Sequence, residues 1–145
     1  MKHQLTGTAG LYHVAHELSR RGWNVLLTTR NSKGADLYAA SGDESVVLSI
    51  QSKALKGKIP VPLGEKLENL RSPWWVITIN ANSAAPSCYV MTLEEVKAAA
   101  HCGVSKDGKG KISCWMQAKG YAKPEYLEAW DRLGSPAEAV ELPAA

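Results

Sequence analysis

The segment Trp74–Asn80, WWVITIN, is apolar at nearly every position. A strand with one face in water alternates apolar and polar residues, whereas a strand apolar on both faces has to be covered on both. A chain holding such a strand needs a sheet with other elements packed on each side, which points to the α/β class. With 145 residues there is enough chain for one core of that kind. At 45% hydrophobic and 21% charged residues, the composition is that of a folded domain rather than a disordered one. The net charge of +3 permits an anionic partner without requiring one. No apolar run approaches the roughly 20 residues that span a bilayer. Met1–Gly10 is polar and small, so the expectation is a cytoplasmic protein.

Local patterns predict the element order. Leu11, Val14, Ala15 and Leu18 recur at helical spacing, so a helix is expected from Thr8 to Arg21, closed by Gly22. WNVLLTT (Trp23–Thr29) reads as a strand and RNSKG as a turn. Ala35–Ala40 and Ser45–Ser52 read as two strands of a hairpin turning at SGDE, Ser41–Glu44. Lys53–Gly64 reads as a loop with a short helix after it, Glu65–Leu70. Trp74–Asn80 and Ser87–Thr92 are further strands. Thr92 and Glu95 form a capping box at the start of a helix reaching about His101. A basic loop, Gly103–Lys111, leads to the strand Ile112–Met116. Pro124 opens an expected terminal helix that ends at Leu133. Residues 1–134 are taken as one domain and 135–145 as a frayed tail. Cys88, Cys102 and Cys114 contain no C-x-x-C pair and are read as thiols rather than as a zinc or disulfide framework. No histidine pair has zinc-site spacing.

The apolar run Val46–Ile50 ends on Gln51-Ser52-Lys53, an unusual finish for a buried strand. Gln51 and Lys53 are two apart and share a face. Asp36 precedes Gln51 by fourteen intervening residues, and the hairpin brings the two ends together. A carboxylate and an amide oxygen are hard ligands suited to Mg²⁺, with the backbone carbonyl of Ser52 between them. A neighbouring ammonium can position a water or offset charge on a phosphate. The simpler readings are a turn-exit aspartate and the polar end of an edge strand.

The stretch GADLYAAS…VVLSIQSK resembles the PD-(D/E)xK nuclease superfamily, in the Gln-x-Lys branch of Mrr-type enzymes. The upstream TGTAGLYHVAHELSRRGWNVLLTT is similar to the opening helix and strand of small Holliday-junction-resolvase-like members. The resemblance implies a restriction-endonuclease-like mixed sheet flanked by helices, in a single domain. It implies a Mg²⁺-dependent endonuclease, Mn²⁺ being the alternative ion, that cleaves DNA, commonly as a homodimer. Residue by residue, Asp36 matches the metal-binding aspartate, Gln51 the second acidic position and Lys53 the catalytic lysine. Asp36, Gln51 and Ser52 would hold the metal. Arg30, Lys33, Lys56 and Lys58 would meet nucleic acid, with Lys106, Lys109 and Lys111 as a further rim. Tyr126, Leu127, Trp130 and Leu133 would supply a dimer surface.

The chain departs from that pattern in the first helix, where Leu11 stands in place of the family's glutamate. Glu17 points about 240° around the helix from Leu11. Two alternatives therefore stand beside the enzyme. One is a weak or inactive nuclease-fold protein that binds DNA or protein. The other is a small interaction factor with no nucleic-acid role.

Overall fold

The computed structural model describes residues 2–28, 34–104 and 110–136. Helix α1 (Lys2–Arg20) is followed by strands β1 (Asn24–Leu27), β2 (Leu37–Ala40), β3 (Val47–Ala54) and β4 (Val61–Gly64). A 3-10 turn (Leu67–Asn69) precedes β5 (Trp74–Ile79) and β6 (Ser87–Thr92). Then come α2 (Leu93–Ala99), β7 (Ala100–Val104), β8 (Ile112–Met116), the short α3 (Ala118–Tyr121) and a 3-10 turn at Trp130–Leu133. The main sheet is mixed, in the order β1-β2-β3-β5-β6, with β3 and β5 parallel and the other neighbours antiparallel. A second antiparallel sheet has the order β4-β8-β7.

The two-sided character expected of β5 is realised: Trp75 through Ile79 are all buried. Val76 joins Val14, Leu18, Leu37, Ile50 and Val90 in a core beneath α1. Trp75 and Ile77 join Met91, Val61, Met116 and Tyr121 in a second core on the opposite face. Burying each such side chain contributes about 1.5–3 kcal/mol, so the two layers hold the sheet between them.

α1 starts earlier than its hydrophobic periodicity suggests. Thr6 is buried and its hydroxyl donates to Asn82 Oδ1 at 2.9 Å, so a distant loop holds the first turns. α1 and β3 are in close contact at Gly10, where an added Cβ would overlap that of Ala54. Gly10→Ala is therefore expected to destabilise the fold by about 1–3 kcal/mol, because neither backbone can yield freely. Chemical denaturation of the variant measures it, and an unchanged midpoint would mean the two elements are loosely docked.

Three expectations are corrected. The predicted loop Lys53–Gly64 contains the end of β3 and all of β4, which pairs with β8. The helix expected to reach His101 stops at Ala99, because Ala100–Val104 pairs with β8. The terminal helix Pro124–Leu133 does not form. Its backbone bonds β6 instead: Val90 N donates to Tyr126 O at 2.9 Å and Glu128 N to Cys88 O at 2.7 Å. Tyr126, Trp130 and Leu133 are consequently buried within this chain and are not a dimer surface; of that set only Leu127 is exposed. Arg132 secures the segment through paired 2.9 Å bonds to Glu95, whose capping box with Thr92 is present as expected.

The reading of all three cysteines as thiols is also corrected. Cys102 and Cys114 face each other across β7 and β8 and form a disulfide. The residues are twelve apart, a loop for which a bridge contributes about 3 kcal/mol. Reduction with dithiothreitol is expected to lower the melting temperature accordingly, and an unchanged melting curve would mean the bridge constrains nothing. Cys88 stays free, and burial pushes its thiol up to about 12.

Candidate active site

The hairpin β2–β3 assembles the site. At its turn Asp43 Oδ1 accepts from Ser45 Oγ (2.7 Å), Ser45 N (3.0 Å) and Ser41 Oγ (2.8 Å). Those bonds, the Ser45 hydroxyl foremost, hold the Asp43 carboxyl at about 2. The turn sets Ala40 opposite Val47 and Leu37 opposite Ile50, which carries Asp36 to the level of Gln51. Thr28, just past β1, pins the other side: its N–H donates to the Asp36 carbonyl at 3.0 Å, and its hydroxyl is shared between the carbonyls of Ala35 (2.8 Å) and Asp36 (3.0 Å).

Asp36 Oδ2 accepts two hydrogen bonds at 2.8 Å, from Gln51 Nε2 and from the Ser52 backbone N–H. Its other carboxylate oxygen makes no hydrogen bond among the described residues. Asp36 also lines a pocket of about 270 Å³ with Ser52 and with Gln4, Gly7, Thr8 and Leu11 of α1. The Ser52 hydroxyl is buried and has no hydrogen-bond partner among the described residues. Leu11, at the position where the resemblance places a glutamate, does line this pocket, but with an apolar side chain.

Lys53 lies one residue past Ser52, on the other face of β3. Its ammonium sits 5.9 Å from the centre of the Trp75 ring and forms no ion pair among the described residues. Burial lowers its pKa, and the negative charge of Asp36 opposes that shift without cancelling it. Gln51, Ser52 and Lys53 lie in the carboxyl-terminal half of β3, level with Trp75, Val76 and Ile77 of the parallel strand β5.

The remaining expected residues separate. Lys56 and Lys58 are exposed on the chain leaving β3, at the same end of the sheet. Arg30, Lys33, Lys106 and Lys109 lie outside the described residues. Glu17 is engaged elsewhere, paired with Arg20 and, at 3.0 Å, with Arg21. Trp75 is buried in the core. Gln4 and Thr8 were not anticipated in the sequence. Their signal is the spacing Gln4, Thr8, Leu11, a single stripe of α1.

Among the described residues no three His, Cys, Asp or Glu side chains gather as metal ligands. The donor set nevertheless suits one hard divalent cation. Asp36 has a carboxylate oxygen with no hydrogen bond among the described residues, and Gln51, whose Nε2 donates to the other one, keeps its amide oxygen for a cation. Mg²⁺ is commonly held by one or two carboxylates, retained waters and the substrate's own phosphate.

No family model and no curated protein matches this sequence. Solved structures do match. A bacterial homing endonuclease, I-Ssp6803I, superposes with a TM-score of 0.56 at 18% identity, covering 90% of each chain. Hjc, a Holliday junction resolvase from the archaeal hyperthermophile Archaeoglobus fulgidus, gives a TM-score of 0.48 at 12% identity, over 77% of this chain and 90% of that one. The chain has the restriction-endonuclease-like fold, a mixed sheet flanked by helices.

Proposed function

We propose that this protein hydrolyses phosphodiester bonds in DNA with a divalent metal, Mg²⁺ or Mn²⁺. The observation that supports it best is the convergence on one strand end of Asp36, Gln51 and an unpaired, partly desolvated Lys53. Asp36, Gln51 and the Ser52 carbonyl would hold the ion. When bound, such an ion polarises the phosphoryl oxygen and lowers the pKa of a coordinated water. Gln51 keeps Asp36 oriented through its amide. Lys53 positions the attacking water and offsets charge that develops on the phosphate oxygens. Trp75, below it, restricts the ammonium to this end of the sheet. Lys56 and Lys58 contact flanking phosphates, with Arg30 and Lys33 assigned the same role. A homodimer, with one site per strand, accords with this reading.

The assay is cleavage of end-labelled linear duplex, four-way junction and single-stranded DNA, with Mg²⁺ and Mn²⁺ in separate reactions. Metal-dependent cutting is the expected result. Leu11 in the pocket favours one second reading, a nuclease-fold protein that binds DNA without cutting it. That reading is right if no substrate is cut while affinity still falls steeply with salt, the mark of phosphate contacts.

A further inference from the structure

We propose that two cavities beyond Lys53 form a subsite for an unstacked nucleotide next to the scissile phosphate. The preferred substrate is then DNA with an unpaired base at the cleavage point rather than continuous duplex. The inference rests on the nuclease reading of Asp36, Gln51 and Lys53.

The first cavity, about 440 Å³, is bounded by Thr6, Lys53, Lys56, Ile59, Pro60 and Pro62. The second, about 490 Å³, is bounded by Leu5, Thr6, Lys56, Asn80, Asn82 and Ser83. They share Thr6 and Lys56, so they adjoin, and the first opens beside the candidate catalytic lysine. Each is within the size range of pockets that take a small ligand, roughly 300–1,000 Å³.

Their linings differ in kind. Ile59, Pro60 and Pro62 offer apolar surface to the face of a base. Asn80, Asn82 and Ser83 offer donors and acceptors to base edges. Lys56 stands where the cavities meet, exposed and without an ion pair among the described residues, suited to the phosphate between two nucleotides. Bases within a duplex are stacked and face inward, so a base enters such a concavity only by leaving the stack. An apolar and amide-lined hollow beside the reacting phosphate therefore selects a strand that is already unpaired there.

Asn80 adds a second line of argument. Its φ is 53°, in the left-handed region that glycine occupies most readily. Its carbonyl oxygen accepts from Ser83 N at 3.0 Å and Ser83 Oγ at 2.8 Å, so the backbone closes its own turn. The side-chain amide makes no hydrogen bond among the described residues and borders the cavity. At Asn82, Oδ1 accepts from Thr6, leaving the amide nitrogen to face a ligand.

The test is a metal-free fluorescence titration with two DNAs carrying 2-aminopurine, one at an unpaired position within a duplex and one at the same position fully paired. The unpaired DNA is expected to bind about tenfold more tightly, the effect of one stacked base. Ile59→Ala and Asn80→Gly are each expected to reduce that preference severalfold. Glycine suits the Asn80 backbone, so Asn80→Gly removes the amide without straining the turn. Equal affinity for the two DNAs, binding of neither, or a preference unchanged in both variants would overturn the subsite. Cleavage of the same DNAs with Mg²⁺ is scored separately. A preference without cutting leaves the subsite and removes the nuclease reading; cutting without a preference does the reverse.

Discussion

Asp36→Asn is expected to abolish cleavage while leaving the fold nearly as stable as before. Asparagine keeps an oxygen that can accept from Gln51 Nε2 and Ser52 N, the two bonds now made by Asp36 Oδ2. It removes the only carboxylate of the cluster, and with it the negative charge on which divalent-ion affinity depends. The loss of turnover is expected to reach at least about a thousandfold, the scale of removing a group that supports charge stabilisation in a transition state. Asp36→Ala should show the same catalytic loss with an added stability defect of about 1–3 kcal/mol, since two donors lose their acceptor. Single-turnover rates and denaturation midpoints measured on both variants separate the two effects. Turnover by Asp36→Asn at the wild-type rate would sink the assignment of this carboxylate.

Lys53→Met is expected to stabilise the protein while eliminating activity. The pKa of Lys53 is lowered chiefly by burial, so the folded state bears a penalty for holding the charged form. Methionine removes the charge, matches the length of the stem and packs on the Trp75 ring, for a gain of about 1 kcal/mol. Cleavage should fall by about 10²–10⁴-fold, the range for losing a positioned proton-handling group. The pH dependence follows from the direction of the shift. With a folded-state pKa below the unfolded value, the lysine penalty is complete at pH below the folded pKa. It fades as pH rises and is gone above the unfolded value of about 10.4. The stability advantage of Lys53→Met should therefore be full at neutral pH and vanish in strong alkali. Urea midpoints at pH 7 and pH 10.5 measure it. A variant less stable than wild type at pH 7 would mean that the ammonium is held by favourable contacts and is not a strained functional group.

The two variants bear on one physical point. A site that places one carboxylate and one unpaired ammonium at a sheet end without closing them into an ion pair sets stability aside locally, and such clusters concentrate where chemistry is done. The opposite arrangement occurs at Glu95 and Arg132, where paired hydrogen bonds hold a purely structural segment.

Local chemistry by itself determined the frame. The capping box of Thr92 and Glu95, the glycine stop at Gly22, the turn at Ser41–Glu44 and the two-sided burial of β5 each depend on residues a few positions apart. Such short-range terms are written in the chain. The approach of Asp36 to Gln51 was legible for the same reason, because one tight turn and a side-chain period of two set it. Tertiary structure alone decided what depends on pairing between distant segments. Ala100–Val104 has helical neighbours in sequence but becomes a strand because β8 is there to bond it, and only that register brings Cys102 to Cys114. Pro124–Leu133 has every local mark of a helix, yet the open edge of β6 satisfies its backbone better. Gln4, Thr8, Asn80 and Asn82 meet their cavities because α1 docks across the carboxyl end of β3 and β5. No periodicity carries that information, since it arises from which faces remain to be covered once the sheet has formed.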